Sequence, residues 1–123
     1  MMISMFGTYI DWNYQNDLMF SMWNGSSQQT LLRTATPYSL NVLNHTVATF
    51  DGTDKKLYNN GQFLISAGDI APATSISTLY IGKFTGGNHN CNGKILTARI
   101  YNRSLSANEV QQNFNVTRKR FGI

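Results

Sequence analysis

Thr46-Val47-Ala48-Thr49-Phe50-Asp51-Gly52-Thr53-Asp54-Lys55-Lys56-Leu57-Tyr58-Asn59-Asn60-Gly61-Gln62-Phe63-Leu64-Ile65 consists of three strand-like runs divided by two turn signals. Within each run, β-branched and aromatic residues recur at the two-residue period of a half-buried strand. Asn60-Gly61 suits a type I′ hairpin, because both central residues of that turn need positive φ and these two side chains tolerate it best. Asp51-Gly52 does similar work in a slightly longer loop. The stretch therefore predicts an antiparallel meander over residues 46–66. A helix anywhere in that range would remove the fold assignment.

Outward from the meander the same periodicity continues in short runs. The candidate strands are 3–9, 17–23, 29–33, 46–51, 55–58, 62–66, 78–83 and 93–101, and so many short strands with little helix indicate a sandwich or barrel. Gly68, Pro72 and several small residues between Ile65 and Thr78 read as a loop crossing between sheets. One short helix is expected near the end. Ser106-Ala107-Asn108-Glu109 is a capping box, in which the Glu109 amide donates to the Ser106 hydroxyl and the Ser106 amide donates to the Glu109 carboxylate. Leu105 and Val110 stand at the positions of a hydrophobic staple. The helix is expected to run to about residue 113 or 114, with Val110 and Phe114 on one face.

The length suits a single domain with one core. Charged residues make up only 13% of the chain, and Asn, Ser, Thr and Gly take their place, as is common in extracellular β-proteins. The net charge of +4 comes largely from Lys94, Arg99, Arg103, Arg118, Lys119 and Arg120, with Glu109 as the sole acid among them. Because the basic residues of 94–103 fall on an expected strand and its end, they read as solvated surface and no nucleic-acid partner is expected. Cys91 is the single cysteine, so no internal disulfide is available. No apolar stretch approaches the length of a membrane span. Residues 1–6 lack the basic start and apolar run of a secretion signal, so an extracellular location would be reached by another route, such as release in a virus particle or cleavage from a precursor.

Five ordered motifs carry a resemblance. They are Val47-Ala48-Thr49-Phe50-Asp51-Gly52, Lys56-Leu57-Tyr58-Asn59-Asn60-Gly61, Leu79-Tyr80-Ile81-Gly82, Asn92-Gly93-Lys94-Ile95, and Arg99-Ile100-Tyr101-Asn102-Arg103-Ser104-Leu105-Ser106 with Glu109. Together they resemble the second half of a laminin-G-like domain of the concanavalin A-like lectin and glucanase superfamily. The ending, Gln112-Asn113-Phe114-Asn115 and then Arg120-Phe121-Gly122-Ile123, is similar to versions in structural proteins of bacteriophages and environmental viruses. The resemblance implies an all-β fold: an antiparallel β-sandwich of the jelly-roll type with one short C-terminal helix. It covers residues 1–117, with 118–123 left as a basic tail. The family's two opening strands have no counterpart ahead of Met1, which implies a vacancy in a sheet. An open edge is then expected near residues 3–9, covered by another subunit of an assembly.

Glucanase relatives use two glutamates on one strand, since retaining hydrolysis needs a nucleophile and an acid about 5 Å apart. This chain has Glu109 alone, already committed to a cap, so no catalytic residues and no enzyme activity are expected. Lectin relatives hold calcium through carboxylates and carbonyls, which makes Asp51 and Asp54 weak candidates as hard oxygen ligands, set against plain turn chemistry for Asp-Gly-Thr-Asp. No other cofactor is expected. His45 and His89 lack partners at metal-ligand or triad spacing. Sugar binding is the remaining chemistry, by stacking on aromatic faces and bonding to amides. Trp12, Asn13 and Tyr14, and Asn88, His89 and Asn90 in the loop after Gly86-Gly87, are the two candidate sets, each also readable as edge cover or turn. Sequons begin at Asn24, Asn44, Asn102 and Asn115 and matter only in a secretory eukaryotic host.

The expected function is a non-catalytic assembly module of a virion or of an extracellular or cell-surface structure, held by strand pairing and sandwich contacts. The alternative is a carbohydrate-binding adhesion module. No membrane partner is expected.

Overall fold

The computed structural model of the protein describes residues 3–5, 8–12, 18–22, 32–33, 42–68, 79–82 and 93–123. In chain order the elements are β1 (Ile3–Met5), β2 (Thr8–Trp12), β3 (Leu18–Met22), β4 (Leu32–Arg33), β5 (Thr46–Phe50), β6 (Asp54–Asn59), β7 (Gln62–Gly68), β8 (Leu79–Ile81) and α1 (Ala107–Phe121). They form two antiparallel sheets, one ordered β4-β3-β2-β1-β8 and the other β5-β6-β7.

The meander forms as the alternation and turn residues require. β5 pairs with β6 from Thr46↔Asn59 to Phe50↔Lys55, and β6 pairs with β7 from Asn59↔Gln62 to Asp54↔Gly68. At the second turn Asn60 has φ 50° and Gly61 φ 78°, the two positive values that a type I′ hairpin demands. Leu57 faces Ile65 while Tyr58 faces Phe63, so Leu64 is an extra residue that bulges β7. The bulge resets the pairing so that the Tyr58 and Phe63 rings meet edge to face at 5.7 Å.

Alternation in β6 sends successive side chains to two different covers. On one face Leu57, fully buried, joins Leu18 and Phe20 of β3, with Ala48, Phe50, Ile65 and Ala67 packed around them. The two sheets meet through this cluster. On the same face Lys55 is buried with its ammonium 5.9 Å from the centre of the Phe20 ring. On the other face Tyr58 joins Leu105 and Val110, with Val47 beside them, and this cluster holds α1 against the sheet.

The helix starts where the capping box predicts. The Glu109 amide donates to Ser106 Oγ at 3.3 Å, and the Ser106 amide donates to Glu109 Oε2 at 2.9 Å. Its end differs from expectation, because residues 118–121 form its last turn and are not a tail. Three features carry it past residue 114. Thr117 is buried beside Val110 and Phe114 on the docked face, basic residues oppose the negative end of the helix dipole, and Gly122 adopts φ 71° as the left-handed cap. The amides of Gly122 and Ile123 both close on the Arg118 carbonyl.

Two further expectations are corrected. The N-terminal run is not one strand from 3 to 9, since Met5↔Thr8 pairing makes it a hairpin of β1 and β2. Nor is it a sheet edge: β1 carries β2 on one side and β8 on the other, through Ile3↔Ile81 to Met5↔Leu79. Among the described residues the edges of that sheet are β4 and β8. The run 93–101 has no ladder partner among the described residues.

Gly61 offers a test of the hairpin. A Cβ there would stand 2.7 Å from Gln111 Oε1, but that amide is the flexible end of an exposed side chain, so the strain at positive φ dominates. Gly61→Ala is expected to lower stability by about 1–2 kcal/mol in urea melts. Gly68→Ala, whose Cβ would have its nearest neighbour at 3.8 Å and no positive φ to adopt, is expected to leave it unchanged or slightly raised.

Candidate functional site

Of the sugar-binding candidates, Trp12 closes β2, its backbone paired with Leu18. Tyr14, Asn88, His89 and Asn90 lie outside the described residues. The calcium candidates lie at the β5–β6 turn. Asp51 Oδ1 accepts from the amides of Thr53 at 2.9 Å and Asp54 at 2.8 Å, and Oδ2 lies 3.3 Å from Lys56 Nζ. The amides of Asp54 and Thr53, ahead of Lys56, hold the Asp51 carboxyl below its ordinary pKa. A calcium ion would have to displace the lysine and break this Asx turn, which is a poor fit. Among the described residues no three His, Cys, Asp or Glu side chains gather as a metal cluster.

A different surface is built where the chain runs from Gly93 to Arg103 alongside α1. Arg103 grips Glu109 with both guanidinium nitrogens, at 2.9 and 2.6 Å. Two residues earlier, the Tyr101 hydroxyl accepts from Asn113 Nδ2 at 3.2 Å. Two residues earlier again, the Arg99 charge is felt by His45, whose ring lies 5.9 Å from Phe114. Arg103 and Tyr101 thus reach the helix from alternate positions, as extended backbone allows. Ile95 and Thr97 continue the series as half-buried residues, while Leu96, Ala98 and Ile100 are exposed. The backbone of 93–101 makes no backbone hydrogen bond to any described residue.

Beneath the helix a polar network finishes the end of the β5–β6 hairpin. Asn60 Oδ1 accepts from the His45 amide at 2.9 Å, the Asn60 amide returns to the His45 carbonyl at 2.8 Å, and Asn59 Nδ2 donates to Asn44 Oδ1 at 3.0 Å. Burial, with Arg99 second, lowers the His45 pKa below its ordinary value. His45 Nδ1 and Thr117 Oγ1 are buried without a hydrogen-bond partner among the described residues. Nothing in the sequence marked His45 beyond its lack of a metal-ligating neighbour. The Arg103–Glu109 pair was equally silent, since it bridges from the loop into the first turn at a spacing no helix rule covers.

Two antiparallel sheets joined through an apolar cluster, with a capped helix laid on the outer face of the smaller one, define an all-β module of the laminin-G-like class. The chain belongs to the concanavalin A-like lectin/glucanases superfamily, whose laminin-G-like family profile matches residues 4–111. No curated protein matches it in sequence. Among solved structures it is similar to residues 221–444 of an S-layer domain-containing protein from Clostridium thermocellum, at 20% identity and a TM-score of 0.55. The match covers 87% of this chain and 55% of that one, so the chain spans little more than half the length of that structure.

The Glu109 site predicts a pH dependence. The Arg103 bond, reinforced by the Ser106 amide, holds Glu109 down to about 2 from an ordinary value of 4.5. A depressed carboxyl stabilises the folded state above its unfolded pKa and loses that contribution as pH falls through the folded one. Stability is therefore expected to be flat above about pH 5 and to fall between about pH 4.5 and 2, by an amount that solvent screening keeps small. Glu109→Gln should flatten this part of the profile in thermal melts followed by circular dichroism. A wild-type acid limb that survives the substitution would assign it to other carboxylates.

Proposed function

We propose that the protein is a non-catalytic assembly module of an extracellular, cell-surface or virion structure, held to its neighbours by strand pairing and by contacts on the sheet faces. The observation that carries this reading is the extended run from Lys94 to Tyr101. It is supported on one side by α1, has no ladder partner among the described residues, and exposes Leu96, Ile100 and Tyr101. Extended backbone with outward apolar side chains suits pairing with a strand that a neighbouring subunit supplies. On this reading the two sheets belong to a jelly-roll sandwich completed within the assembly. The low charge of the chain and its membership of a superfamily rich in extracellular modules agree with a surface location.

Catalysis is not part of the proposal. Glu109, the single glutamate, is bonded to Arg103 and to the Ser106 amide, which leaves no free acid and base pair of glutamates for glycoside hydrolysis. Sugar binding at Trp12, Tyr14, Asn88, His89 and Asn90 is the competing function.

Native mass spectrometry of the purified chain, with dye binding and a glycan array on the same sample, separates the two. An assembly module is expected to self-associate or to bind a hydrophobic dye. A dye-silent monomer that binds a glycan would replace this reading with adhesion.

A further inference from the structure

We propose that His45 is an acid-sensitive latch beneath α1: protonation of its ring weakens the seating of residues 110–117 of the helix on the open end of the β5–β6 hairpin. The inference goes beyond the assembly reading and does not depend on it.

The ring is built into the junction of helix and sheet. His45 stands one residue ahead of β5, and its backbone is fastened twice to Asn60, the amide donating to Asn60 Oδ1 at 2.9 Å and the carbonyl accepting from the Asn60 amide at 2.8 Å. The residue therefore cannot leave the junction without opening that end of the hairpin. Its ring centre lies 5.9 Å from that of Phe114, which is buried on the docked face of α1 together with Val110 and Thr117. Nδ1 is shut off from solvent. In the imidazolium both nitrogens carry protons, so one charged N–H would face away from water. The neutral ring is part of the floor on which the helix rests, and a proton places a poorly hydrated charge there.

The surrounding charges act in the same direction. Arg99, from the extended run ahead of the helix, disfavours a second cation at His45, and together with burial, the larger cause, it lowers the pKa of the ring, while a contact with the residue's own backbone opposes them and is the weakest of the three. From α1, Arg118 sits over the Phe114 ring at 5.3 Å, so the aromatic ring that could attract an imidazolium already attracts a guanidinium. From the hairpin and the segment before it come Asn44, Thr46, Asn59 and Asn60, which carry no charge. No carboxylate stands among these groups to hold the charged form. A histidine whose folded pKa lies below its ordinary 6.5 contributes stability that is complete above that value and is lost as pH falls through the folded one. The latch thus releases above the window of Glu109, which opens at 4.5.

The test is an NMR titration of the imidazole signals of the purified chain between about pH 8 and 5, with hydrogen exchange at residues 110–117 measured at both ends and corrected for the intrinsic effect of pH on exchange. Expected are a His45 midpoint below 6.5, Phe114 ring signals that shift with the same midpoint, and protection at 110–117 that falls about two- to tenfold on acidification. Arg99→Gln, at an exposed side chain, is expected to move the His45 midpoint up towards 6.5. His45→Phe keeps a ring beside Phe114 without the proton and should make protection independent of pH over this range. His89→Gln controls for the second histidine and should change neither readout. A His45 midpoint at or above 6.5, a midpoint indifferent to Arg99→Gln, or protection at 110–117 that ignores pH would overturn the latch. So would a loss of protection that survives His45→Phe or disappears in His89→Gln.

Discussion

β6 is buried on both faces, and the rest of the described structure follows from that constraint. A strand alternates its side chains, so Leu57 and Tyr58, adjacent in sequence, must each find a separate apolar cover. β3 of the larger sheet provides one with Leu18 and Phe20, and the helix provides the other with Val110 and the preceding Leu105. Neither cover is local to the meander. The short hairpins bring β5 and β7 to the edges of β6, but only long-range packing closes its faces, and burial of residues such as Leu57 and Val110 is worth roughly 1.5–3 kcal/mol each.

The helix is held in place by several small devices that agree with each other. The Ser106–Glu109 box opens it, Arg103 locks the box from the preceding loop, Phe114 lies against His45 at 5.9 Å, and Gly122 ends it. Apart from the buried Phe114, each is modest and exposed or half-exposed. Their shared effect is to fix the path of residues 95–103, because Arg103 and Tyr101 are fastened to the same helix. The surface proposed to meet a partner is thus a by-product of how the helix is docked, and loosening the cap would loosen that surface too.

What could be read in the sequence was what local rules govern. Asn60-Gly61 specified its turn because few other pairs accept two positive φ values in succession, and Ser106 with Glu109 specified the helix start because the two bonds lie within one turn. The true helix end was also written locally, in Arg118, Lys119 and Arg120 followed by Gly122, but the basic residues invite reading as a tail unless the burial of Thr117 is known. Strand pairing was less legible. Alternation in 93–101 marks extended backbone, yet it says nothing about whether a partner strand lies beside it, and the same limit hid the pairing of β1 with β8 across most of the chain. Of the candidate site, the Asp51 turn was legible as turn chemistry, while the exposure of Leu96 and Ile100 was not, because exposure is decided by neighbours.

The central claim is that β6 couples its two covers into one cooperative unit. Native-state hydrogen exchange on the wild type and on Val110→Ala tests it most directly. Amides of β6 and of residues 110–117 in α1 are expected to open with the same free energy, and both to lose the same amount in the variant, about 1 kcal/mol or more for the truncated side chain. A helix that opens on its own, with β6 protection unchanged in Val110→Ala, would contradict the account.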